Sequence, residues 1–449
     1  MAKRLVNVDR DTPLLLPPSI QEWVPQDDMS RFIVDAVGLL EERCFGYNWR
    51  GSGSEQYPPR MMLALLIYCY ANRLFSSRRI ERATWRDIAV RYITADTHPD
   101  HDTIAKFRRE NGTLIKTCFL EVLALAREMN VAKVGDVATD GSKLEANAAK
   151  RRVKTKQELQ TELHAVEARV ESLLQQAEQT DRSEDYTVDG NRLPAALGDA
   201  VARRDKLQAA LALLDSNRLR DSQKRDKQRA GFDPDGPGDP PRVIEAASGP
   251  DDRLNLTDPD AKLLPGKKGG YLPAYNTQIA VQADSAAPLI LASDVSDESS
   301  DRRQLAPMVE ELMKNHPQTK RVLVDTGYDN TAQIYQVERV HGVIVYCPPE
   351  KCGRVAKPKA RETRARRRTK QFREGMKACL RGEFGRSSQT LRATTVEPVF
   401  SWIKHTLGFR RFHLRGMEKV RLEWDLVCLV HNLSLLHRVK QGRERALPA

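Results

Sequence analysis

Apolar residues recur at helical spacing in the first third of the chain. The segments that follow this pattern are residues 28–43, 58–74 and 77–93. A turn-forming stretch at 95–99 comes next, and Asp100 or Asp102 can then cap one further short helix. These features predict a helical N-terminal domain over residues 1–130, with its last two helices arranged as a helix-turn-helix.

The fourth predicted helix carries a basic tip. Its cations are Lys106, Arg108 and Arg109, and a helix-turn-helix places such side chains on DNA. Two helices joined by a short turn also occur in plain helical bundles. The pattern leaves a DNA-binding domain and a plain bundle open, and the basic tip favours DNA.

Short apolar runs bounded by turn residues indicate strands in the rest of the chain. They lie at 131–139, 276–283, 289–295, 321–324 and 343–346. A helix predicted over 301–315, and another between the last two strands, give a β-α-β order. The predicted fold class is α/β, with a mixed-sheet domain over residues 131–440 and a tail at 441–449.

Between the first two strands the pattern changes to heptads. Apolar side chains alternate steps of four and three residues at Leu159, Leu163, Val166, Val170, Leu173 and Ala177, and the pattern returns at Leu207, Leu211 and Leu214. This predicts an antiparallel, coiled-coil-like helical hairpin with a polar loop at 178–191 and a linker at 231–241. The hairpin and linker, residues 151–245, are interpreted as an insertion that either mediates self-association or braces the domain.

The composition is that of a basic globular protein. Its 449 residues include 73 Lys and Arg against 61 Asp and Glu, a net charge of +12, and 40% are hydrophobic. Ten Lys or Arg and a single acid fall within 354–373, a segment predicted to be a basic arm or loop that gains order on a phosphate backbone. A merely solvated basic loop is the alternative. The excess of cations favours a polyanionic partner.

Neither the apolar runs nor the cysteines indicate a membrane or secreted protein. The longest apolar run, residues 61–70, is too short to span a bilayer, and the first residues have no apolar signal region. Seven cysteines are an odd number without a secreted spacing. We expect a cytoplasmic protein with reduced thiols and no membrane partner.

Three carboxylates stand where a catalytic site could be built. Asp140 and Asp325 each follow an apolar strand, and Glu397 lies near the start of a helix predicted over 395–407. Turn capping is the plain interpretation of each aspartate, and Glu397 also fits a helix capping box. If the three acids converge, their oxygens suit Mg²⁺, and two such ions can catalyse phosphodiester chemistry.

Cations follow the third acid. Lys404, seven residues after Glu397, is expected on the same helical face and would meet phosphate as a point charge. In the segment 408–416, cations alternate with aromatic residues, which is typical of nucleic-acid contacts. The cations of this segment are Arg410, Arg411 and Arg415.

Three blocks of the sequence resemble the signature blocks of bacterial insertion-sequence DDE transposases. They are VATDGSKLEAN around Asp140, VLVDTGYDN around Asp325, and VEPVFSWIKHTLGFRRFHLRGMEKVRLEW around Glu397. The resemblance implies an RNase H-like mixed-sheet catalytic domain, with Asp140 on its first strand, Asp325 on its fourth and Glu397 on a later helix. It also implies that these acids are catalytic and hold two Mg²⁺ ions, for which Mn²⁺ can substitute.

The family's pattern around its third acid is Tyr-x2-Arg-x3-Glu-x6-Lys, and the chain matches this pattern in part. Glu397 and Lys404 fall at the expected spacing. Arg392 stands one residue further from the acid than the pattern asks, and Thr390 occupies the tyrosine position. Arg392 is kept as an expected phosphate contact, whereas no base-stacking tyrosine and no hairpin route are inferred.

The resemblance implies a transposase that binds the terminal inverted repeats of an insertion sequence and catalyses metal-dependent DNA cleavage and strand transfer. Its partners would be double-stranded DNA, as transposon ends and as target, and a second copy of the chain in a homodimer on paired ends at the bacterial nucleoid. Two alternatives stay open. One is a catalytically silent DNA-binding repressor derived from a transposase, and the other is a metal-dependent nuclease that hydrolyses without joining.

Overall fold

The computed structural model describes most of the chain. The described ranges are residues 19–45, 56–132, 135–183, 195–230, 232–266, 269–283, 285, 287–349 and 364–446. The chain divides into two compact units, Met1–Leu125 with Leu429–Ala449, and Ala126–Cys428. Most of the hairpin loop predicted at 178–191 lies outside the described residues.

The first unit is built from helices. They are α1 (Met29–Gly38), α2 (Pro59–Ala71), α3 (Ser77–Arg86), α4 (Ile88–Ile93), α5 (His101–Glu110) and most of α6 (Gly112–Glu128). The helices predicted near 28–43 and 58–74 are confirmed with shorter bounds. The capping prediction is confirmed for Asp100, whose carboxylate accepts a hydrogen bond of 2.7 Å from the backbone N–H of Thr103.

The single helix predicted over 77–93 is wrong. Asp87 has an extended backbone there and separates α3 from α4. Its carboxylate accepts a hydrogen bond of 3.0 Å from the backbone N–H of Val90, which caps α4. Helical periodicity continues across the break, so the apolar pattern alone hides it, whereas the capping bond stabilises the new helix start.

The second unit combines strands and helices. Its strands are β1 (Asp136–Glu145), β2 (Val153–Thr155), β3 (Arg253–Asn255), β4 (Lys262–Pro265), β5 (Tyr271–Gln282), β6 (Ile290–Ser296), β7 (Arg321–Leu323) and β8 (Ile344–Tyr346). Its helices are α7 (Lys156–Ser183), α8 (Ala195–Ala230), α9 (Leu305–Asn315), α10 (Thr331–His341), α11 (Arg364–Arg381) and α12 (Glu383–Ser401). A last helix, α13 (Met417–Ala446), begins in this unit and extends past its end.

The main sheet is mixed. β1 pairs with β5 in antiparallel fashion and with β7 in parallel fashion, and β8 extends the parallel side. The other edge of β5 carries both β4 and β6, each antiparallel. The strands predicted at 276–283, 289–295, 321–324 and 343–346 are thereby confirmed. The predicted β-α-β order is confirmed too, because α10 connects the parallel strands β7 and β8.

The heptad pattern is confirmed as a packed antiparallel helix pair. Leu159 of α7 packs with Leu207 and Leu214 of α8, whereas Val170, further along α7, packs with Leu197 near the start of α8. The start of α7 therefore packs on the middle of α8, and a later part of α7 packs on the start of α8. This order of contacts requires the two helices to be antiparallel. The two-stranded sheet of β2 and β3 closes the base of the pair.

The second half of the predicted basic arm is a helix and not a mobile loop. Residues 364–373 belong to α11, while 351–363 lie outside the described residues. Phe372 and Met376 of α11 pack against a buried cluster formed by β7, β8, α9 and α10. Arg373 lies 3.3 Å from the Asp329 carboxylate. Apolar burial and this ion pair order the segment without DNA.

Among the described residues, no helix combines the length and apolar character needed to cross a bilayer.

Candidate active site

Asp140 and Asp325 occupy equivalent places on two neighbouring strands. The parallel pairing of β1 and β7 ends at Ala138 and Leu323, which are register partners, and each aspartate comes two residues later. Asp140 was predicted at a strand end, but β1 continues to Glu145 because β5 pairs with it over that length. The two acids therefore lie where β7 leaves β1, at an opening in the sheet.

Asp140 is a largely buried carboxylate with two donors. Its Oδ1 accepts a hydrogen bond of 2.7 Å from the backbone N–H of Gly141, and its Oδ2 accepts one of 3.0 Å from Arg392 Nη1. Burial raises the pKa of Asp140 to about 6, the Arg392 charge opposes this rise, and the charges of Asp325 and Asp301 add to it.

Asp325 performs the turn-capping role that was its plain interpretation. Its Oδ1 accepts a hydrogen bond of 2.9 Å from the backbone N–H of Gly327, at the start of the 3-10 turn Thr326–Tyr328. Burial raises the pKa of this carboxyl, while Arg392 opposes the rise. Capping and a place in the acid cluster are compatible, because the bond uses one oxygen.

Glu397 lies near the C-terminal end of the long helix α12. The helix expected to begin near residue 395 begins at Glu383, and Pro398 is inside it. A capping box at Glu397 is therefore wrong, since no helix starts there. Glu397 is 65% exposed, and its Oε1 lies 3.9 Å from Arg392 Nη2.

Arg392 connects the acids. It lies on α12, its side chain is only 12% exposed, and it contacts both Asp140 and Glu397. Its Nε is buried without a hydrogen-bond partner in the described part of the chain. The positive charge of Arg392 thus offsets the negative charges of Asp140 and Glu397. Its Nε remains a donor that could serve another acceptor.

Lys404 reaches the strand that carries Asp140. After α12, the chain forms a π turn, Trp402–Thr406, which changes the helical spacing from which a shared face with Glu397 was predicted. Lys404 Nζ donates to Ser142 Oγ, and Ser142 lies on the same face of β1 as Asp140. Lys404 therefore contacts β1 two residues from Asp140, on the face that carries this acid.

Asp301 is a fourth carboxylate that sequence reasoning missed. It accepts hydrogen bonds of 2.7 Å from both Asn276 and Gln278, side chains of β5. Its charge raises the pKa of Asp140 and of Asp325. The residue stands at the start of a predicted helix, where an aspartate is ordinary, so its sequence position carried no signal.

Two parts of the chain match families of known proteins. Residues 345–437 match the model described as a transposase DDE domain, and residues 18–110 match the one described as a transposase domain (DUF772). The two matches support an insertion-sequence DDE transposase. A search of curated proteins and a search of solved structures each found no match.

The transposase DDE match contains the predicted DNA-contacting cations of the second unit. Arg410, Arg411 and Arg415 are exposed. The aromatic residues between them, Phe409 and Phe412, are fully buried and pack edge to face at 5.5 Å. The alternation therefore places the two phenylalanines in the core and the three arginines at the surface, and these aromatic rings are not exposed for stacking on bases.

In the first unit, only two of the three predicted cations are exposed. Lys106 and Arg109 face solvent, whereas Arg108 is buried and donates to the Tyr70 hydroxyl at 2.9 Å and to the Phe75 carbonyl at 2.7 Å. Arg108 is thus a structural residue and not a DNA contact.

Helix α3 has a more basic exposed face than the predicted DNA-contacting helix α5. Its exposed side chains are Arg78, Arg79, Arg82, Trp85 and Arg86. Trp85 stacks on His98 with a ring separation of 3.4 Å. The apolar positions of this segment were used only to predict a helix that packs on the core. The basic face formed by the arginines between those positions was therefore not predicted.

The donor set of the acid cluster fits a hard divalent cation. Carboxylate oxygens are the ligands that Mg²⁺ prefers, and repulsion among buried carboxylates is relieved by a cation. Among the described residues, no group of three or more His, Cys, Asp or Glu side chains already has metal-ligand spacing. Arg392 supplies the positive charge instead. The residues fit the ion by chemistry, with Arg392 as the competing partner.

Proposed function

We propose that the chain binds the terminal inverted repeats of its insertion sequence, cleaves the phosphodiester at each end and joins the freed 3' hydroxyl to target DNA. The observation that carries this proposal is the placement of Asp140 and Asp325, each two residues beyond one register pair of parallel strands. The charge of Arg392 acts to lower the pKa of both acids. Arg392 lies within the match to a transposase DDE domain.

We assign the second unit to the RNase H-like architecture. If the short strand β4 is left aside, β1, β5, β6 and β7 are the first four strands of the main sheet in chain order. Asp140 then belongs to the first strand, Asp325 follows the fourth, and Glu397 lies on a later helix, as the family resemblance implies. In chain order, α7 and α8 lie between two strands of this sheet, β1 and β5. This position favours the interpretation of the helix pair as an insertion.

Asp140, Asp325 and Glu397 would hold two Mg²⁺ ions, for which Mn²⁺ can substitute. When bound, such ions activate the attacking oxygen and stabilise the leaving oxygen of a phosphodiester. The chain's own cations do the rest: Arg392, released from the carboxylates, and Lys404 would contact the phosphate. A bidentate guanidinium suits phosphate geometry, and an ammonium acts as a point charge.

The DNA duplex would meet two exposed basic surfaces. One consists of Arg410, Arg411 and Arg415 in the second unit. The other, in the first unit, consists of the exposed arginines of α3 with Lys106 and Arg109 on α5. Exposed guanidinium groups gain affinity from counterion release, independent of sequence. We expect the first unit to bind the terminal inverted repeats, because it contains a separate match to a transposase domain.

Two ends require two copies, so we propose a homodimer on paired ends. The α7 and α8 pair keeps Leu174, Leu213 and Leu219 exposed, and such leucines suit a contact between copies.

The test is Mg²⁺-dependent cleavage and joining of labelled DNA that carries the element's ends, with Asp325→Asn compared to the parent. We expect DNA binding to persist and joined product to fall more than about 100-fold, since even an outer partner of a metal ligand is worth about 10–100-fold. Asp235→Asn is a matched control, because it removes one exposed carboxylate of the same unit.

The outcomes separate the alternatives. Cleavage without joined product would favour a nuclease that acts by hydrolysis. Binding of the ends without cleavage or joining, under conditions that activate a control transposase, would favour a catalytically silent repressor. Equal activity of the parent and Asp325→Asn would contradict the assignment of the acids.

A further inference from the structure

Asp301 is held in a fixed orientation by a chain of side-chain hydrogen bonds. The Tyr328 hydroxyl donates to Gln278 Oε1, so the Gln278 amide nitrogen must point the other way, toward Asp301 Oδ1 at 2.7 Å. Gln278 Nε2 also donates to Asn276 Oδ1 at 3.1 Å, which turns the Asn276 nitrogen toward the same Asp301 oxygen. Each amide therefore has a single orientation, and both serve Oδ1 of Asp301.

The amides that orient Asp301 are deeply buried, and so is the tyrosine behind them. Tyr328, Gln278 and Asn276 are each no more than 1% exposed. Building a polar chain into a sheet interior is costly unless every member is satisfied. These hydrogen bonds end on the Asp301 carboxylate and hold it in place.

Two glycines let the Asp301 carboxylate approach the other acids. A Cβ on Gly141, the residue after Asp140, would lie 2.4 Å from Asp301 Oδ1 and 2.2 Å from Gln278 Nε2. A Cβ on Gly327 would lie 3.6 Å from Asp301 Oδ2 and 2.9 Å from Asp325 Oδ1. Oδ1 thus lies beside Gly141, the residue after Asp140, and Oδ2 lies beside Gly327 in the turn that Asp325 caps, in space that only glycines leave free.

A structural role alone does not account for a charge at this position. An amide would accept the same hydrogen bonds on Oδ1 without adding a negative charge near two other carboxylates. That charge raises the pKa of both Asp140 and Asp325, and a bound cation would relieve the repulsion among the carboxylates. The arrangement therefore has the properties of an oriented metal ligand.

We propose that Asp301 is a fourth carboxylate of the cation site formed by Asp140, Asp325 and Glu397, and that it is oriented for this role by Asn276 and Gln278. The inference rests on the proposed function, since it assumes that the acid cluster binds divalent ions. It adds a ligand that lies outside the Asp, Asp, Glu set of the family pattern and outside the matched transposase DDE region.

The test is Mn²⁺ binding measured by isothermal titration calorimetry on the full chain, for the parent, Asp301→Asn and Asp235→Asn. Asp301→Asn keeps an acceptor for Asn276 and Gln278, removes the charge and replaces the second carboxylate oxygen with an NH₂ group. We expect its Mn²⁺ affinity to fall about 10–100-fold, its unfolding midpoint in EDTA to be no lower than that of the parent, and Asp235→Asn to bind as the parent does.

A second measurement uses the parent alone and so does not depend on a folded variant. Fe²⁺ replaces Mg²⁺, and with added hydrogen peroxide and ascorbate the bound iron reduces the peroxide to hydroxide and hydroxyl radicals, which cleave the backbone close to the metal. We expect Mg²⁺-suppressible cleavage around residue 301 as well as around 140 and 325.

If the parent binds no Mn²⁺, the cation site fails and the proposed function fails with it. If the parent binds and Asp301→Asn matches it within twofold, or the Fe²⁺ cleavage spares the region of residue 301, only the assignment of Asp301 is overturned.

Discussion

Replacing Asp140 by asparagine is expected to stabilise the fold at neutral pH in the absence of divalent ions. Burial is the main reason that the pKa of Asp140 rises from 3.8 to about 6, and the guanidinium of Arg392 only partly offsets it. The folded state therefore binds a proton that the unfolded chain releases. Asparagine has a similar shape, carries no charge and keeps one of the two acceptor oxygens, for Arg392 or for the Gly141 N–H.

The magnitude follows from the pKa difference. One pKa unit corresponds to about 1.4 kcal/mol, so ionised Asp140 costs the fold about 3 kcal/mol once the pH is well above 6. The sign follows from linkage: for a carboxyl with a raised pKa, the stabilising contribution is present below pH 3.8 and is lost as the pH rises through about 6. At pH 4 the cost has fallen to about 0.5 kcal/mol.

The assay is urea unfolding in EDTA at pH values from 4 to 8, for the parent, Asp140→Asn and the exposed control Asp235→Asn. The advantage of Asp140→Asn over the parent should grow from pH 4 to pH 7 and then level off. Saturating Mg²⁺ should stabilise the parent and leave Asp140→Asn nearly unchanged, because a ligand that binds only the folded state raises its stability.

Two results would refute this reasoning. If Asp140→Asn is no more stable than the parent at pH 8, the buried charge is not a cost. If the advantage is the same at pH 4 and pH 8, its origin is packing and not ionisation.

Three further predictions concern packing and DNA contacts. Gly141→Ala forces a Cβ against Gln278 and should lower the free energy of unfolding by about 1–3 kcal/mol in urea titrations; unchanged stability would contradict the tight approach. Arg108→Ala removes the buried hydrogen bonds to the Tyr70 hydroxyl and the Phe75 carbonyl and should cost about 2–3 kcal/mol, whereas Arg109→Ala should stay within about 0.5 kcal/mol and weaken DNA binding, as gel shift and thermal unfolding can show. Changing three exposed arginines of α3 to glutamine should reduce the salt dependence of DNA binding by about 0.9 per lost phosphate contact in filter binding, and an unchanged slope would exclude this face.

Local patterns were sufficient for the helices and strands whose periodicity is regular. The heptads of α7 and α8, the strands β5 to β8 and the Asp100 cap all depend on neighbours within a few residues. Patterns failed where helical periodicity hid a second local signal, such as a cap, or where a local rule did not hold. The helix break at Asp87 and the helix α12 running through Pro398 are examples.

The sequence by itself determined which acids to consider and where the strands that carry two of them lie. Alternation of apolar residues and the turn residues after them are local properties, so Asp140 and Asp325 could be named in advance. Glu397 was a candidate because of its place near a predicted helix start, and the family resemblance linked it to the two aspartates across a long stretch of sequence.

Only the tertiary structure decided which side chains meet. The register of β1 against β7 brings Asp140 and Asp325 to one opening, and the register of β1 against β5 places Gln278 over Gly141. The long reach of Arg392 from α12 brings it to Asp140, and Asp301 joins from a turn with no motif of its own. Contacts between residues far apart in the chain depend on strand pairing and burial, which no local pattern encodes.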